Sequence, residues 1–228
     1  MAAGSGTRMG GPLPKQFLML DGKAVLQRTI EVFLDACPGI SVVTVLSSDY
    51  VDYWKSYCLE HNFICPQILV PGGITRFHSV RNALERIPEG ALVAVHDGVR
   101  PLVSRELVAR MFDDAEYCNG LIPVVPCVDT LKVLRNHPGP DGKQILEAVP
   151  GASADRSVLY GAQTPQIFLS EILKSAYSQP YDTSFTDDAS VVDRYGKSLS
   201  YTMGERLNIK ITTREDLVIA RAVLDSAD

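Results

Sequence analysis

Four apolar runs of strand length do most to limit the folds that are open to this chain. They cover residues 39–48, 67–70, 91–97 and 120–126. None shows the polar alternation of a strand with one face in water, so the sheet should be covered on both faces. Stretches with helical spacing follow the first three runs, at 50–62, 75–87 and 104–117. This order predicts an α/β fold of three αβα layers with a mostly parallel central sheet.

One segment departs from this order. Residues 129–135 and 143–149 alternate in polarity around a turn-rich cluster at 136–142, which predicts a two-stranded β-hairpin. A lone hairpin is marginally stable in water, so it should pack on a second subunit or fold back on its own domain. We therefore expect a single domain over residues 1–228, with residues 129–156 forming the hairpin arm.

Composition and charge exclude several classes of function. A formal net charge of −5 argues against nucleic acid as the main partner, because binding a phosphate backbone needs a positive surface. No apolar run approaches the ~20 residues of a membrane span, and no leader resembling a signal peptide is present, so we expect a cytoplasmic bacterial protein. The 5 cysteines and 4 histidines are scattered, which disfavours a disulfide framework or a zinc site. Magnesium, which prefers oxygen ligands, remains open.

The chain opens with a glycine-rich stretch, MAAGSGTRMGGPLPKQF, at residues 1–17. It does not match a P-loop, because Pro12 stands where the lysine should follow Gly11. The third glycine of a dinucleotide fingerprint also comes one residue late, at Gly10. Main-chain N–H groups in such a loop can face an anion, with Arg8 and Lys15 adding charge. The alternative is a surface turn with two solvated cations.

Further short motifs extend this pattern over nearly the whole chain. They are PGGITRFHSV (71–80), VHDGVRP (95–101), DT (129–130), DR (155–156), TPQ (164–166), TDDAS (186–190) and NIKIT (208–212). In this order, behind AAGSGTRMG and PKQF, they resemble the sugar-phosphate nucleotidyltransferases, in particular the cytidylyltransferases. The resemblance implies a Rossmann-like domain, CTP and a sugar-alcohol phosphate as ligands, Mg²⁺ as cofactor, and a homodimer joined through the hairpin arm.

The reaction that the resemblance implies is attack by methylerythritol phosphate on the α-phosphorus of CTP, with release of pyrophosphate. The nucleophile is already an anion, so positioning and charge stabilisation would carry the catalysis. Ribitol 5-phosphate is the alternative acceptor, and TDDAS, with Thr186 and Asp187, favours methylerythritol phosphate. More distant alternatives are a molybdopterin or sugar-1-phosphate nucleotidyltransferase and a nucleotide-binding regulatory module that has lost catalysis.

The resemblance also implies roles for individual residues. The implied catalytic residues are Arg8, Lys15, Arg156 and Lys210. The implied nucleotide-binding residues are Ala2, Ala3, Gly4, Ser5, Gly6, Gly73, Ile74, Ser79, Asp97 and Gly98. The implied substrate-binding residues are Arg100, Thr130, Arg156, Thr164, Thr186, Asp187 and Lys210. Asp97 would hold the Mg²⁺, while Arg100 and Thr130 would reach the substrate from the neighbouring subunit.

The chain departs from the family pattern at three places. Ile74 stands where the family often has an acidic residue, and Gly98 stands where it has alanine. In the family a hydrophobic central strand precedes the glycine loop, whereas only Met1 precedes Ala2 here, so we expect further residues ahead of Met1. Arg76, beside the base-binding segment, is open to two readings, as part of the site or as a surface charge at a helix N-terminus.

Overall fold

The structure is a computed structural model that describes residues 1–4, 11 and 13–226. The predicted site residues Ser5, Gly6 and Arg8 lie outside the described residues. The helices are α1 (Val25–Ala36), α2 (Val51–Glu60), α3 (Arg76–Leu84), α4 (Arg105–Ala115), α5 (Ser170–Tyr177), α6 (Asp188–Arg194) and α7 (Arg214–Asp225). The strands are β1 (Met19–Leu20), β2 (Lys23–Ala24), β3 (Val42–Leu46), β4 (Gln67–Pro71), β5 (Leu92–Val95), β6 (Gly120–Pro126), β7 (Leu134–Pro138), β8 (Gln144–Ala148), β9 (Tyr160–Ala162), β10 (Gln166–Leu169) and β11 (Ser200–Met203).

The largest sheet is mixed, so the prediction of a mostly parallel sheet is not confirmed. Its strands follow the order β11, β6, β10, β5, and β9 also pairs with β6. β11 runs parallel to β6, but β10 is antiparallel to both β5 and β6. The reason is that β10 follows β9 after three residues, without a crossover helix, and continues in the direction opposite to β6.

A second pair of strands, β3 and β4, is parallel. The first two residues of the chain connect this pair to the larger sheet. The Ala2 N–H donates to the Val45 carbonyl at 2.8 Å, and the Gly98 N–H donates to the Met1 carbonyl at 2.9 Å. A largely apolar cavity of about 400 Å³ lies between β3 and β5. The connection is made at the carboxyl ends of both strands, where ligands bind in open α/β sheets.

Helices cover both faces of the central sheet, as the three-layer prediction requires. Ile122 and Phe168 pack with α3, α5 and α6 in one buried cluster. Their neighbours in sequence, Leu121 and Ile167, pack with α1 and α4 in another. Successive side chains of a strand point to opposite faces, so one sheet supports two cores. Ser104 is the N-cap of α4, since its side chain accepts the Leu107 N–H at 2.9 Å.

The predicted hairpin is present as a two-stranded ladder, but its first strand is shifted along the chain. β7 and β8 pair antiparallel from Leu134 opposite Ala148 to Pro138 opposite Gln144. The turn is tighter than the cluster at 136–142 suggested, because the Gly139 N–H donates to the Lys143 carbonyl at 2.7 Å. Most hairpin residues are exposed, including the apolar side chains of Leu134, Ile145 and Leu146. Its role as a dimerisation arm stays a prediction.

Candidate active site

A buried carboxylate with two cations stands at the end of β5. Asp97 follows this strand after one residue, and its residue is 8% exposed. Its Oδ2 atom lies 3.1 Å from Lys210 Nζ and 3.2 Å from Arg100 Nε. The Lys210 side chain is 43% exposed, against 12% for Arg100. The cluster therefore consists of a buried ion pair between Asp97 and Arg100 and, on its solvent side, the accessible ammonium group of Lys210.

The electrostatics of Asp97 follow from this cluster. Burial alone raises the pKa of a carboxyl group, because it disfavours the charged form. Here the cations of Lys210, Arg76 and Arg100 outweigh burial, and they hold the pKa of the Asp97 carboxyl well below its usual range. Asp97 is therefore a carboxylate at every physiological pH, and it can bind a cation without first losing a proton.

The segment that carries Lys210 is held in place by main-chain and amide contacts. The Ile211 N–H donates to the Val99 carbonyl at 2.9 Å, and the Arg100 guanidinium donates to the Asn208 carbonyl at 2.6 Å. Asn208 is fully buried, and its Nδ2 donates to the Thr164 carbonyl at 2.9 Å. Asn208 belongs to the NIKIT motif, but the motif alone did not indicate a role for it. Its role here is to place Lys210 over Asp97.

His96 and Thr164 support Asp97 from below. The Thr164 hydroxyl oxygen accepts the Asp97 N–H at 3.1 Å and lies 3.0 Å from His96 Nδ1. His96 Nε2 lies 3.2 Å from the Arg100 carbonyl, so Nε2 is the donor and Nδ1 accepts from the Thr164 hydroxyl. Burial lowers the pKa of His96 to about 3 despite the nearby Asp97. Thr164, expected to bind substrate, uses its hydroxyl within the protein.

The predicted base-binding turn follows β4. The Gly72 N–H donates to the Leu46 carbonyl at 2.7 Å, and the Gly73 N–H donates to Ser79 Oγ at 2.9 Å. A Cβ atom on Gly73 would lie 2.5 Å from His78 Cβ, so the turn requires glycine there. Ser79 is buried and its hydroxyl donates to the Thr75 carbonyl, which makes it a support of the turn. Ile74, in contrast, is 96% exposed.

The ends of the glycine-rich loop are tied down by a residue without a predicted role. Gln16 is 2% exposed, and its Nε2 donates to the Ala2 carbonyl at 2.7 Å and the Gly4 carbonyl at 3.1 Å. Lys15, next to it, begins a 3₁₀ turn, Lys15–Phe17. Ala2 packs close to Gly98, where an added Cβ would lie 3.0 Å from Ala2 Cβ. The N-terminal end of the loop therefore stands beside Gly98, the residue after Asp97.

The segment predicted to bind the acceptor substrate, TDDAS at residues 186–190, lies at the start of α6. Asp187 is the N-cap of this helix, and its Oδ1 accepts the Ser190 N–H at 2.9 Å. Its Oδ2 accepts from Gln166 Nε2 at 2.8 Å, so the carboxylate is already engaged on both oxygens. Thr186 precedes it and is exposed. Arg76 forms an ion pair with the buried Asp188. Arg76 is therefore not a solvated surface charge.

Two further predicted residues lie at the foot of the hairpin. Arg156 is exposed, and its guanidinium donates to the Val128 carbonyl at 2.8 Å. Thr130 follows two residues after Val128 and is also exposed. Arg100 lies beside Asp97 of its own chain, and the expectation that it reaches the substrate of a neighbouring subunit stays a prediction. Within the described residues, the cluster around Asp97 thus brings together Arg100, Lys210 and Thr164, while Arg156 contacts the hairpin foot.

The part of the chain that the structure describes contains neither a preformed set of metal ligands nor a membrane-spanning helix. There, no group of three or more His, Cys, Asp or Glu side chains could hold a metal ion. No described helix is long and apolar enough to cross a bilayer. Any metal at Asp97 would therefore need ligand oxygens from elsewhere, such as a triphosphate.

The fold and the basic cluster at the carboxyl edge of the sheet define an α/β protein of the nucleotidyltransferase class. The model of one family, IspD: 2-C-methyl-D-erythritol 4-phosphate cytidylyltransferase, matches residues 1–226. The chain belongs to this family. The family resemblance inferred from the sequence motifs is thereby confirmed.

Relatives and solved structures agree with this membership. The chain is 43% identical over 224 residues to a 2-C-methyl-D-erythritol 4-phosphate cytidylyltransferase of Phocaeicola vulgatus, which covers 98% of this chain and 97% of the relative. A protein of the same name from Bacteroides thetaiotaomicron is 42% identical, with the same coverage. The crystal structure of the Thermus thermophilus protein of that name superimposes with a TM-score of 0.71 at 30% identity, covering 93% of this chain and 94% of that one.

The depressed pKa of His96 makes a prediction for acid stability. The folded protein holds this imidazole neutral down to a pKa of about 3, whereas the unfolded chain binds a proton near the ordinary value of 6.5. The unfolded state therefore takes up more protons as the pH falls below 6.5, and stability is lost in that direction. We expect the free energy of unfolding to be about 2 kcal/mol lower at pH 5 than at pH 7.5 from His96 alone.

Urea denaturation of the parent and of His96→Gln at both pH values measures this effect. Glutamine can donate to the Arg100 carbonyl and accept from Thr164 without titrating, so the variant should lose the acid-dependent part. The same replacement at an exposed histidine, His61→Gln, provides the control for the loss of an imidazole elsewhere in the chain. Equal pH dependence in His96→Gln and the parent would contradict the prediction.

Proposed function

We propose that this protein transfers CMP from CTP to 2-C-methyl-D-erythritol 4-phosphate. The products are 4-diphosphocytidyl-2-C-methyl-D-erythritol and pyrophosphate, and the reaction is a step in non-mevalonate isoprenoid precursor biosynthesis. The observation that carries the proposal is the cluster of Asp97, Lys210 and Arg100 at the sheet edge, in a chain that matches the family over residues 1–226. Its bacterial relatives support a cytoplasmic location.

The main obstacle in this reaction is charge repulsion between two polyanions. Two like unit charges ~4 Å apart repel by about 1 kcal/mol in water and about 4 kcal/mol at an effective dielectric of 20. Cations fixed before the substrates arrive offset this repulsion without a cost of reorganisation. In our proposal Lys210 and Arg156 orient the acceptor phosphate, while Arg8 and Lys15 stabilise the charge on the triphosphate.

The residues at the end of β5 fit a magnesium ion. Mg²⁺ is commonly bound by one or two carboxylates together with substrate phosphates and water. Among the described residues, both ion pairs of Asp97 use Oδ2, which leaves Oδ1 as the oxygen suited to the metal. When bound there, Mg²⁺ would neutralise charge on the triphosphate. Asp97 would hold the ion, and the main chain of residues 2–6 and Gly98 would lie against the nucleotide.

The first test is the reaction itself with two acceptors. We expect pyrophosphate release from CTP with 2-C-methyl-D-erythritol 4-phosphate, at least tenfold faster than with ribitol 5-phosphate, and its loss on chelation of Mg²⁺. Coupled detection of pyrophosphate with each acceptor in parallel measures this preference, and calcium in place of magnesium serves as the control for ionic strength. A preference for ribitol 5-phosphate would reassign the acceptor, and CTP binding without turnover would indicate a regulatory module.

The second test concerns Lys210. In Lys210→Ala the accessible ammonium group is lost while the rest of the cluster remains, so we expect kcat to fall by roughly 10²- to 10³-fold, as for other removed transition-state donors. Lys55→Ala is a matched control, because Lys55 also pairs with an aspartate, Asp52, at 3.3 Å, but on an exposed helix surface. Unchanged steady-state kinetics in Lys210→Ala would remove this lysine from the mechanism.

We further propose that the hairpin joins two copies of the chain. Exposed apolar side chains of the hairpin, such as Leu146 at 64% and Leu134 at 45%, favour burial against another surface. A second exposed apolar area, including Val158, Tyr160 and Tyr201, borders an open cavity beside β6 and β11. Thr130 lies at the hairpin foot, and in our proposal it reaches a substrate of the partner subunit through this pairing.

The oligomeric state in solution tests this pairing. We expect a native mass near twice the 24.9 kDa of one chain in sedimentation or light scattering. A charge in the hairpin, Leu146→Asp, should shift the mass towards that of one chain and reduce activity, because a buried unpaired carboxylate is costly. Ile64→Asp is the control at a site of 92% exposure outside the hairpin. A monomeric, fully active parent would overturn the arm's role.

A further inference from the structure

One ion pair connects the predicted base-binding turn to the predicted acceptor segment. The two terminal nitrogens of Arg76 approach the two carboxylate oxygens of Asp188, with Nη1–Oδ1 at 2.9 Å and Nη2–Oδ2 at 2.5 Å. The Tyr177 hydroxyl also donates to Oδ1 at 2.6 Å. A two-pronged guanidinium–carboxylate contact fixes orientation as well as distance. The partners are 112 positions apart in the chain.

Both partners stand at the first position of a helix. Arg76 begins α3, three residues after Gly73, while Asp188 begins α6, directly after Thr186 and Asp187. The pair therefore lies behind the two turns that would hold the cytosine base and the acceptor. Neither Arg76 nor Asp188 received a role in the substrate contacts inferred from the sequence.

The burial of the pair makes its geometry rigid. The Asp188 side chain is 0% exposed, and that of Arg76 is 31% exposed. Tyr177 is 2% exposed and stacks on Phe77, the residue after Arg76, with ring centroids 4.7 Å apart. The first turn of α6 is held from the sheet as well, because the Ala189 N–H donates to Gln166 Oε1 at 2.8 Å. A buried ion pair with one partner removed leaves an uncompensated charge, so neither turn can move alone cheaply.

We propose that Arg76 and Asp188 are positioning residues that fix the base-binding turn (72–79) and the acceptor turn (186–190) relative to each other. This inference rests on the proposed function, because it concerns the distance between its two substrates. The attacking phosphate oxygen must be held about 3–3.5 Å from the α-phosphorus, and a misplacement of about 1 Å can cost 10²-fold in rate. A rigid link between the two turns supplies that alignment before either substrate binds.

The sharpest test is a crossed effect on the two KM values. Arg76→Lys changes the base-binding side while it keeps the positive charge, and Asp188→Asn changes the acceptor side while it keeps the shape. We expect Arg76→Lys to raise the KM for 2-C-methyl-D-erythritol 4-phosphate, and Asp188→Asn to raise the KM for CTP, each about tenfold, with kcat also reduced. Arg81→Lys is the control, since Arg81 lies exposed on the same helix, α3. It should leave both constants unchanged.

The KM values decide the matter because a general loss of stability lowers the amount of active protein, and hence kcat, without changing KM. Circular dichroism and thermal unfolding establish that each variant is folded, and Arg76→Lys alone decides if Asp188→Asn does not fold. If each folded variant raises only the KM for the substrate on its own side, or neither, the positioning role is wrong.

Hydrogen exchange separates this inference from the proposed function. We expect Asp188→Asn to lose amide protection at residues 72–79, and Arg76→Lys at 186–192, whether or not the parent turns over CTP. A parent that is inactive with CTP and 2-C-methyl-D-erythritol 4-phosphate but shows this crossed loss refutes the proposed function and retains the rigid link. An active parent whose variants loosen only their own segments refutes the link and retains the function.

Discussion

The contact between the buried Asp97 carboxylate and the cations of Lys210 and Arg100 is the constraint on which the site depends. Asp97 is 8% exposed, so its charge needs partners, and Arg100 in turn fixes the Asn208 carbonyl in the segment before Lys210. Removing one partner from a buried pair such as Asp97 and Arg100 typically costs about 3–5 kcal/mol, a large part of a domain's stability of about 5–15 kcal/mol. The ion pairs of Asp97 therefore hold the segment from Asn208 to Lys210 in place and keep the Lys210 side chain on the solvent side of the site.

The antiparallel strand β10 explains how this edge is assembled. Because β10 runs antiparallel to β5, the residues just before and at its start lie at the carboxyl end of β5, with Gln166 opposite Val95. Thr164 there accepts the Asp97 N–H, and Gln166 holds both Asp187 and the first turn of α6. The antiparallel direction of β10 thus brings two polar side chains, those of Thr164 and Gln166, to this edge of the sheet. In a sheet of parallel strands alone, only loops would supply side chains there.

The sequence allowed the family, both helical layers and the hairpin to be predicted, since these depend on local periodicity and ordered motifs. It did not allow the direction of β10 to be predicted, because a strand's direction is set by the length of its connections and its neighbours. Helix α1 was overlooked: it starts after Ala24, without a side-chain cap, and its start carries no sequence signal. The shifted register of β7 has a similar origin, since the Gly139–Lys143 turn decides which residues pair.

The same limit applies to the site, where motifs indicate which segments matter but not what each side chain does. Thr164, Ser79 and Asp187 hold main-chain N–H groups, and such support is as necessary as contact with a ligand. The ion pair of Arg76 and Asp188 gives the same kind of support, but it connects two turns instead of holding one in shape. Lys210 differs, because its 43% exposed side chain keeps donors towards solvent while Asp97 restrains it. A cation held by a carboxylate and only partly enclosed can therefore turn towards an incoming phosphate and still remain ordered before it arrives.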